Sequence, residues 1–168
     1  MRARTTTRLR LLPFLRALAV IAATATPVLA ADVSGSAVVV DGDTLRIGSE
    51  RIRLHGIDAP EARQQCKDAE GRAYSCSAKA SAYLVSLIGT QEVQCKGIER
   101  DRYRRLVAVC KVGETNINEA MVRSGWALAY RQYSKDYVSA EDSARTRKAG
   151  VWDGSFVEPF VWRRTGRN

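Results

Sequence analysis

The clearest pattern in the chain is Arg51-Ile52-Arg53-Leu54-His55, where basic and apolar residues alternate strictly. A period of two puts Ile52 and Leu54 on one face of a strand and the arginines on the other. Upstream, Val33 to Val40 reads as a strand with an apolar end, and Thr44 to Ile47 as a second with Leu45 and Ile47 on one face. Asp41-Gly42 and Gly48-Ser49 mark tight turns between them, because Asp and Gly tolerate positive φ. The three strands make a meander. A polar loop follows from Asp58 to about Ser75, and then Ala80, Leu84, Leu87 and Ile88 recur at helical spacing until Gly89 stops the helix. Val93 to Cys95 and Leu106 to Val112 read as two more strands, joined by the charged turn Glu99 to Arg105. Ile117, Ala120 and Met121 predict a second helix closing near Gly125, and Tyr137, Ala140 and Ala144 a third ending near Gly150. Five strands with one helix between the third and fourth is the order of an OB-type barrel. The expected class is therefore α+β dominated by β, a five-stranded OB-type β-barrel with three helices. Trp152, Phe156, Phe160 and Trp162 are expected to anchor the C-terminal end onto the core.

The first thirty residues stand apart. Arg2, Arg4, Arg8 and Arg10 precede an apolar stretch from Leu11 to Ala30, and small residues lead into Ala31-Asp32. This is the layout of a secretory signal peptide cleaved near Ala30 or Ala31. Pro13 and Arg16 leave too few apolar residues for a membrane span, so no stable insertion is expected after cleavage. A mitochondrial transit peptide is the alternative reading of an Arg- and Thr-rich leader without acids. Residues 31–168 then form one domain, with a core at about 37–152 and an aromatic and basic tail at 153–168, exported to the periplasm or beyond. The whole chain has 27 basic and 18 acidic residues, a net charge of +9. Five of the basic residues and none of the acids lie in the leader, so the mature part carries a modest +4. That excess suits a polyanionic partner and equally an ordinary basic surface.

Four cysteines remain, an even number in an exported chain, which suggests disulfides. Cys95 and Cys110 lie about equally far from the centre of their hairpin and can face each other across two strands. Cys66 and Cys76 close a short loop, so the expected pairs are Cys66–Cys76 and Cys95–Cys110. Zinc is the alternative use, but there is no Cys-x-x-Cys pair and His55 is the sole histidine.

Two acidic groups carry the candidate chemistry. Asp41-Gly42-Asp43-Thr44 sits at a hairpin tip, and Asp58-Ala59-Pro60-Glu61 follows the third strand. Taken singly, the first is a good turn and the second a loop start set by proline. In a meander, however, the start of strand two adjoins the end of strand three, which brings Asp43 and Asp58 to one place. Two close carboxylates repel unless a cation or proton lies between them, and their oxygens suit a hard ion such as calcium. The spacing excludes an EF-hand. Arg53 lies five residues before Asp58, within reach of a phosphate held near the ion. Asp101-Arg102-Tyr103-Arg104-Arg105 groups cations around one aromatic, which suits a nucleic-acid backbone with a base or sugar on Tyr103, or else a solvated turn.

Val40-Asp41-Gly42-Asp43-Thr44, Arg53-Leu54-x-Gly56-Ile57-Asp58-Ala59-Pro60-Glu61 and Asp101-Arg102-Tyr103-x-Arg105 resemble the signatures of the thermonuclease (staphylococcal nuclease) family. Asn118-Glu119-Ala120-Met121-Val122-Arg123-x-Gly125, Tyr130 and Lys148-Ala149-Gly150-Val151-Trp152 are similar to its later segments, so the resemblance covers about residues 37–152. It implies Asp43, Asp58 and the backbone carbonyl of Ala59 as calcium ligands, with Asp41 behind them. It implies Glu61 as the general base, Arg53 and Arg105 as phosphate-binding cations, and Tyr103 and Tyr130 lining the nucleotide site beside Arg102 and Arg104. The implied activity is calcium-dependent hydrolysis of DNA and/or RNA, endonucleolytic and leaving a 3′-phosphate, by a monomer. Arg104 replaces the family's usual glycine, and a glycine needing positive φ there implies a different turn in this chain. The rival reading is a non-catalytic OB-fold module of the cell envelope that binds nucleic acid, and it predicts lost carboxylates.

Overall fold

The computed structural model describes residues 31–165; the expected leader, residues 1–30, lies outside the described residues. The first expected strand is split into β1 (Val33–Gly35) and β2 (Ala37–Asp41). Gly35 takes φ +144, and the bend at Ser36 sends the two halves to different partners. β1 pairs with β8 (Val93–Arg100), whereas β2 pairs with β3 (Thr44–Ile47), which pairs with β4 (Glu50–Leu54). β4 runs parallel to β9 (Leu106–Val112), and β9 is antiparallel to β8. The sheet order is β1-β8-β9-β4-β3-β2, with the short β10 (Thr115–Asn116) added to β9.

The meander, the helix after it and the later hairpin therefore stand as expected, but the closed five-stranded barrel does not. The sheet has seven strands, and among the described residues no ladder joins its end strands β1 and β2. One bent segment supplies both ends, joined through Ser36. The polar loop also holds structure: β5 (Ile57–Asp58) pairs with β11 (Leu128–Ala129), and β6 (Gln65–Lys67) pairs with β7 (Ala73–Ser75).

The helices are α1 (Cys76–Ile88), α2 (Ile117–Arg123), α3 (Val138–Thr146) and α4 (Pro159–Thr165), four among the described residues rather than three. The Ser75 hydroxyl accepts from the Ala78 N–H at 3.3 Å to cap α1, and the Gly89 N–H returns to the Val85 carbonyl at 2.9 Å. Cys76, Ala80, Leu84 and Ile88 recur every four residues as the buried stripe of α1. Ala80, Leu84 and Ile88 join Leu45, Ile52, Leu54, Leu106, Ala108, Ile117 and Met121 in the main core. Each such large side chain contributes about 1.5–3 kcal/mol by leaving water.

One buried polar side chain ties this core to the site. Asn118 on α2 accepts the Cys110 N–H at 3.0 Å and donates to the carbonyls of His55 at 2.9 Å and Ala108 at 3.2 Å. It thereby holds α2 and β9 against the end of β4, where the chain turns toward Asp58. A smaller core holds Cys66, Cys76, Leu128 and Val151, with Trp152 and Phe156 packed edge to face on its margin, ring centres 4.9 Å apart. These two aromatics anchor the end of the chain as expected, but Phe160 is exposed. Both expected disulfides form: Cys95 and Cys110 are register partners across β8 and β9, and Cys66 of β6 joins Cys76 at the start of α1.

Candidate active site

The meander places the two acidic groups together by register. Thr44 pairs with Arg53, and the Leu54 N–H donates to the Asp43 carbonyl at 2.9 Å. Gly42 presses the β2–β3 turn onto the segment after β5. A Cβ at Gly42 would stand 2.7 Å from the Ala59 Cβ and 2.9 Å from the Ala80 Cβ, so a side chain there would push Asp43 away from Ala59. In the native packing the Ala59 N–H donates to Asp43 Oδ2 at 2.8 Å. The Thr44 hydroxyl donates to Asp43 Oδ1 at 3.3 Å, and Asp41 Oδ1 accepts the Asp43 N–H at 3.1 Å, behind the cluster.

Asp43 and Asp58 are both buried, and Arg53 spans them. Its Nη1 lies 2.8 Å from Asp43 Oδ2 and its Nη2 3.4 Å from Asp58 Oδ1, while Nη2 also donates to the Ile57 carbonyl at 3.0 Å. Burial pushes the Asp43 carboxyl up to about 7 against the downward pull of Arg53, and Asp41 and Asp58 add to the rise. This is a carboxylate whose charge the surrounding protein under-compensates.

Glu61 stands at the edge of the cluster, with about a third of its side chain exposed. Gln64, fully buried, fixes its backbone: the Glu61 N–H donates to Gln64 Oε1 at 3.0 Å, and Gln64 Nε2 donates to the Val157 carbonyl at 2.6 Å. A second guanidinium enters from the C-terminal end. Arg163 on α4 donates to Asp58 Oδ1 at 2.7 Å through Nη1 and to Asp58 Oδ2 at 2.9 Å through Nη2, and its Nη1 also reaches Glu61 Oε1 at 2.5 Å. Burial pulls the Arg163 pKa down, but Asp58 and Glu61 outweigh it and hold the guanidinium protonated. Sequence reasoning missed Arg163 and Gln64. A basic pair just after the aromatic anchors, Arg163-Arg164, was the visible signal for the first; nothing in the pattern singles out the second.

Arg53, Asp43, Asp58, Ala59 and Glu61 thus share one place. Tyr130 joins its rim, with the Arg163 guanidinium 5.8 Å from its ring centre. Beside them lies a cavity of about 240 Å³ lined by Asp58, Leu128, Tyr130, Arg131, Glu141 and Phe160, among others. The remaining expected residues form a separate group at the β8–β9 tip. Arg105 Nε lies 2.7 Å from Asp101 Oδ2, and the Tyr103 ring is flanked by the guanidiniums of Arg102 at 4.8 Å and Arg105 at 5.6 Å. The polar contacts of Arg105 are to Asp101 and not to the carboxylate cluster. Arg53 is the register partner of Val107, and Arg105 lies two residues before Val107, just ahead of β9. The implied change of turn at Arg104 does not occur, because Arg104 itself takes φ 65.

The donor set fits a hard cation. Carboxylate oxygens are the ligands such ions prefer, and two guanidiniums already lie against them as cations. Among the described residues no three His, Cys, Asp or Glu side chains form a metal-holding group. An ion here would therefore rest on the Asp43 and Asp58 side chains, completed by backbone carbonyl and water oxygens.

The sequence is similar to known proteins over most of its length. A family model described as staphylococcal nuclease homologue matches residues 51–154. An uncharacterized endonuclease of Escherichia coli O157:H7 is 38% identical over 146 residues, covering 82% of this chain and 89% of that protein. A micrococcal nuclease of Shigella flexneri is 36% identical over 157 residues, covering 82% and 84%. The succinoglycan biosynthesis protein ExoI of Rhizobium meliloti is 37% identical over 121 residues, and the match spans 70% of this chain but only 63% of that protein. The family match takes in residues 53–61 and the hairpin tip, and two of these relatives extend over four-fifths of the sequence, so this chain belongs to the staphylococcal nuclease family.

Proposed function

We propose that this chain is an exported, calcium-dependent phosphodiesterase that cuts DNA and/or RNA internally and leaves 3′-phosphate ends. The observation that carries this reading is the single cluster of Asp43, Asp58, Glu61 and Arg53, in which every carboxylate the chemistry needs is retained. Asp43, Asp58 and the Ala59 carbonyl would hold the ion. Calcium, when bound, supplies positive charge that offsets the phosphodiester and its more anionic transition state. Glu61 takes a proton from the attacking water, which a carboxylate at the wet edge of a buried cluster can do without a histidine. Arg53 binds phosphate oxygens with the two nitrogens it now presents to Asp43 and Asp58, and Arg105 adds a second cation from the neighbouring strand. Tyr103 and Tyr130 stack on the nucleotide, with Arg102 and Arg104 on the backbone.

Export follows from the leader at residues 1–30, and disulfides such as Cys66–Cys76 and Cys95–Cys110 persist in oxidising compartments. No helix among the described residues is long and apolar enough to cross a membrane. The mature domain, residues 31–168, acts as a monomer. The test is cleavage of plasmid DNA and of RNA by the mature chain from Ala31, with calcium and with chelator. Calcium-dependent cutting is expected. Binding of either nucleic acid without cutting would replace this reading with a binding module.

A further inference from the structure

The C-terminal helix lies where the proposed chemistry has to happen. Arg163 engages both oxygens of Asp58 and also Glu61 Oε1, so a single guanidinium occupies an expected metal ligand and the expected base together. A dication on the same Asp58 oxygens would lie within a few ångströms of that guanidinium, and like charges so close repel strongly. The Glu61 oxygen that faces Arg163 is also withheld from a water molecule. The closed arrangement and the calcium-bound arrangement therefore exclude one another at Asp58.

The helix that carries Arg163 is lightly held. α4 has seven residues, a length at which a helix has little stability of its own. Pro159 is its one buried residue, Val161, Trp162 and Arg163 are half-buried, and Phe160, Arg164 and Thr165 are exposed. What fixes it is the chain before it, where the Val157 carbonyl accepts from Gln64, and the ion pairs of Arg163. The tether through Gln64 survives if Arg163 lets go, so α4 can swing away without unfolding the core.

We infer that α4 is a displaceable autoinhibitory strap: Arg163 seals Asp58 and Glu61, and calcium binds only as the strap is released. The inference rests on the calcium reading of the site. Affinity for a ligand that needs a minor conformation falls by the fraction of molecules in that conformation. A strap docked about nine-tenths of the time weakens calcium binding about tenfold. The test is calorimetric titration of the full mature protein with calcium alone, comparing the native chain with Arg163→Gln and Arg164→Gln, together with amide hydrogen exchange of residues 159–165. Arg163→Gln is expected to tighten calcium binding about tenfold. Arg164→Gln is expected to leave it unchanged, and calcium is expected to speed exchange in α4 of the native chain. Equal affinity in the native and Arg163→Gln proteins, equal tightening by Arg164→Gln, or protection of α4 by calcium would each overturn the strap. If no protein in the series binds calcium, the ion reading of the site fails first and the strap falls with it.

Discussion

The carboxylate cluster and the β8–β9 tip are both dense in charge, yet they solve the problem of holding it in opposite ways. At the cluster, Asp43 and Asp58 are buried; Asp43 is engaged by Arg53 and the Ala59 N–H, and Asp58 by Arg53 and Arg163. At the tip, Tyr103 is 63% exposed and Arg102 and Arg104 are exposed beside it, while Arg105 is half-buried against Asp101. A buried charge is tolerable only when paired, whereas an exposed one costs little and gains little. The cluster side chains are therefore fixed by one another, whereas the tip holds its backbone through Asp101 and leaves Arg102, Tyr103 and Arg104 in water.

The contrast can be broken at its centre. Glu61→Gln is expected to cut turnover by roughly 10² to 10⁴ while nucleic-acid binding survives, read by cleavage and by binding of the same oligonucleotide. An equal loss from replacing a carboxylate outside the cluster, such as Glu114, would remove Glu61 as the base. Next in size, Arg53→Met leaves Asp43 and Asp58 buried without their shared cation. A loss of about 3 kcal/mol is expected by urea unfolding, because Asp43 stays buried without a counter-charge while Asp58 keeps Arg163. Arg105→Lys, by contrast, is expected to lower activity and move stability by no more than about 1 kcal/mol, since lysine keeps a cation beside the partly exposed Asp101. A stability loss as large as that of Arg53→Met would erase the distinction between the two regions.

Smaller effects sharpen it. Arg104 holds φ 65, a conformation that glycine adopts freely, so Arg104→Gly is expected to stabilise the chain by up to about 1 kcal/mol in thermal or urea unfolding. The acid limb of stability gives the finest measure. Burial pushes Asp101 up, but the Arg105 side chain and the N–H groups of Arg105 and Tyr103 outweigh it, leaving the carboxyl below 3.8. A depressed carboxyl adds stability above its unfolded value, and that contribution is lost as pH falls through the folded value. Asp101→Asn should therefore flatten the stability profile slightly below about pH 4, and an unchanged profile would mean that the Asp101–Arg105 pair contributes nothing.

Much of this was legible in local pattern. Strict alternation over Arg51–His55, helical spacing from Ala80 to Ile88 and turn chemistry at Asp41-Gly42 set the meander, and the meander alone brings Asp43 beside Asp58. The cysteine pairs followed from hairpin symmetry and a short loop. These features depend on neighbours a few residues apart, where backbone sterics and periodic burial dominate. Other features belong to the tertiary structure. The break at Ser36 exists because β1 and β2 serve opposite ends of one sheet, and no local signal reports a distant partner. Arg104 keeps the hairpin turn although its residue type argues against it, as the hydrogen bonds of Asp101 to residues 103–105 over-determine the backbone. Arg163 reaches Asp58 across 105 residues of sequence. That pairing forms because two buried carboxylates attract any cation that packing brings within reach, and only the folded chain decides which one arrives.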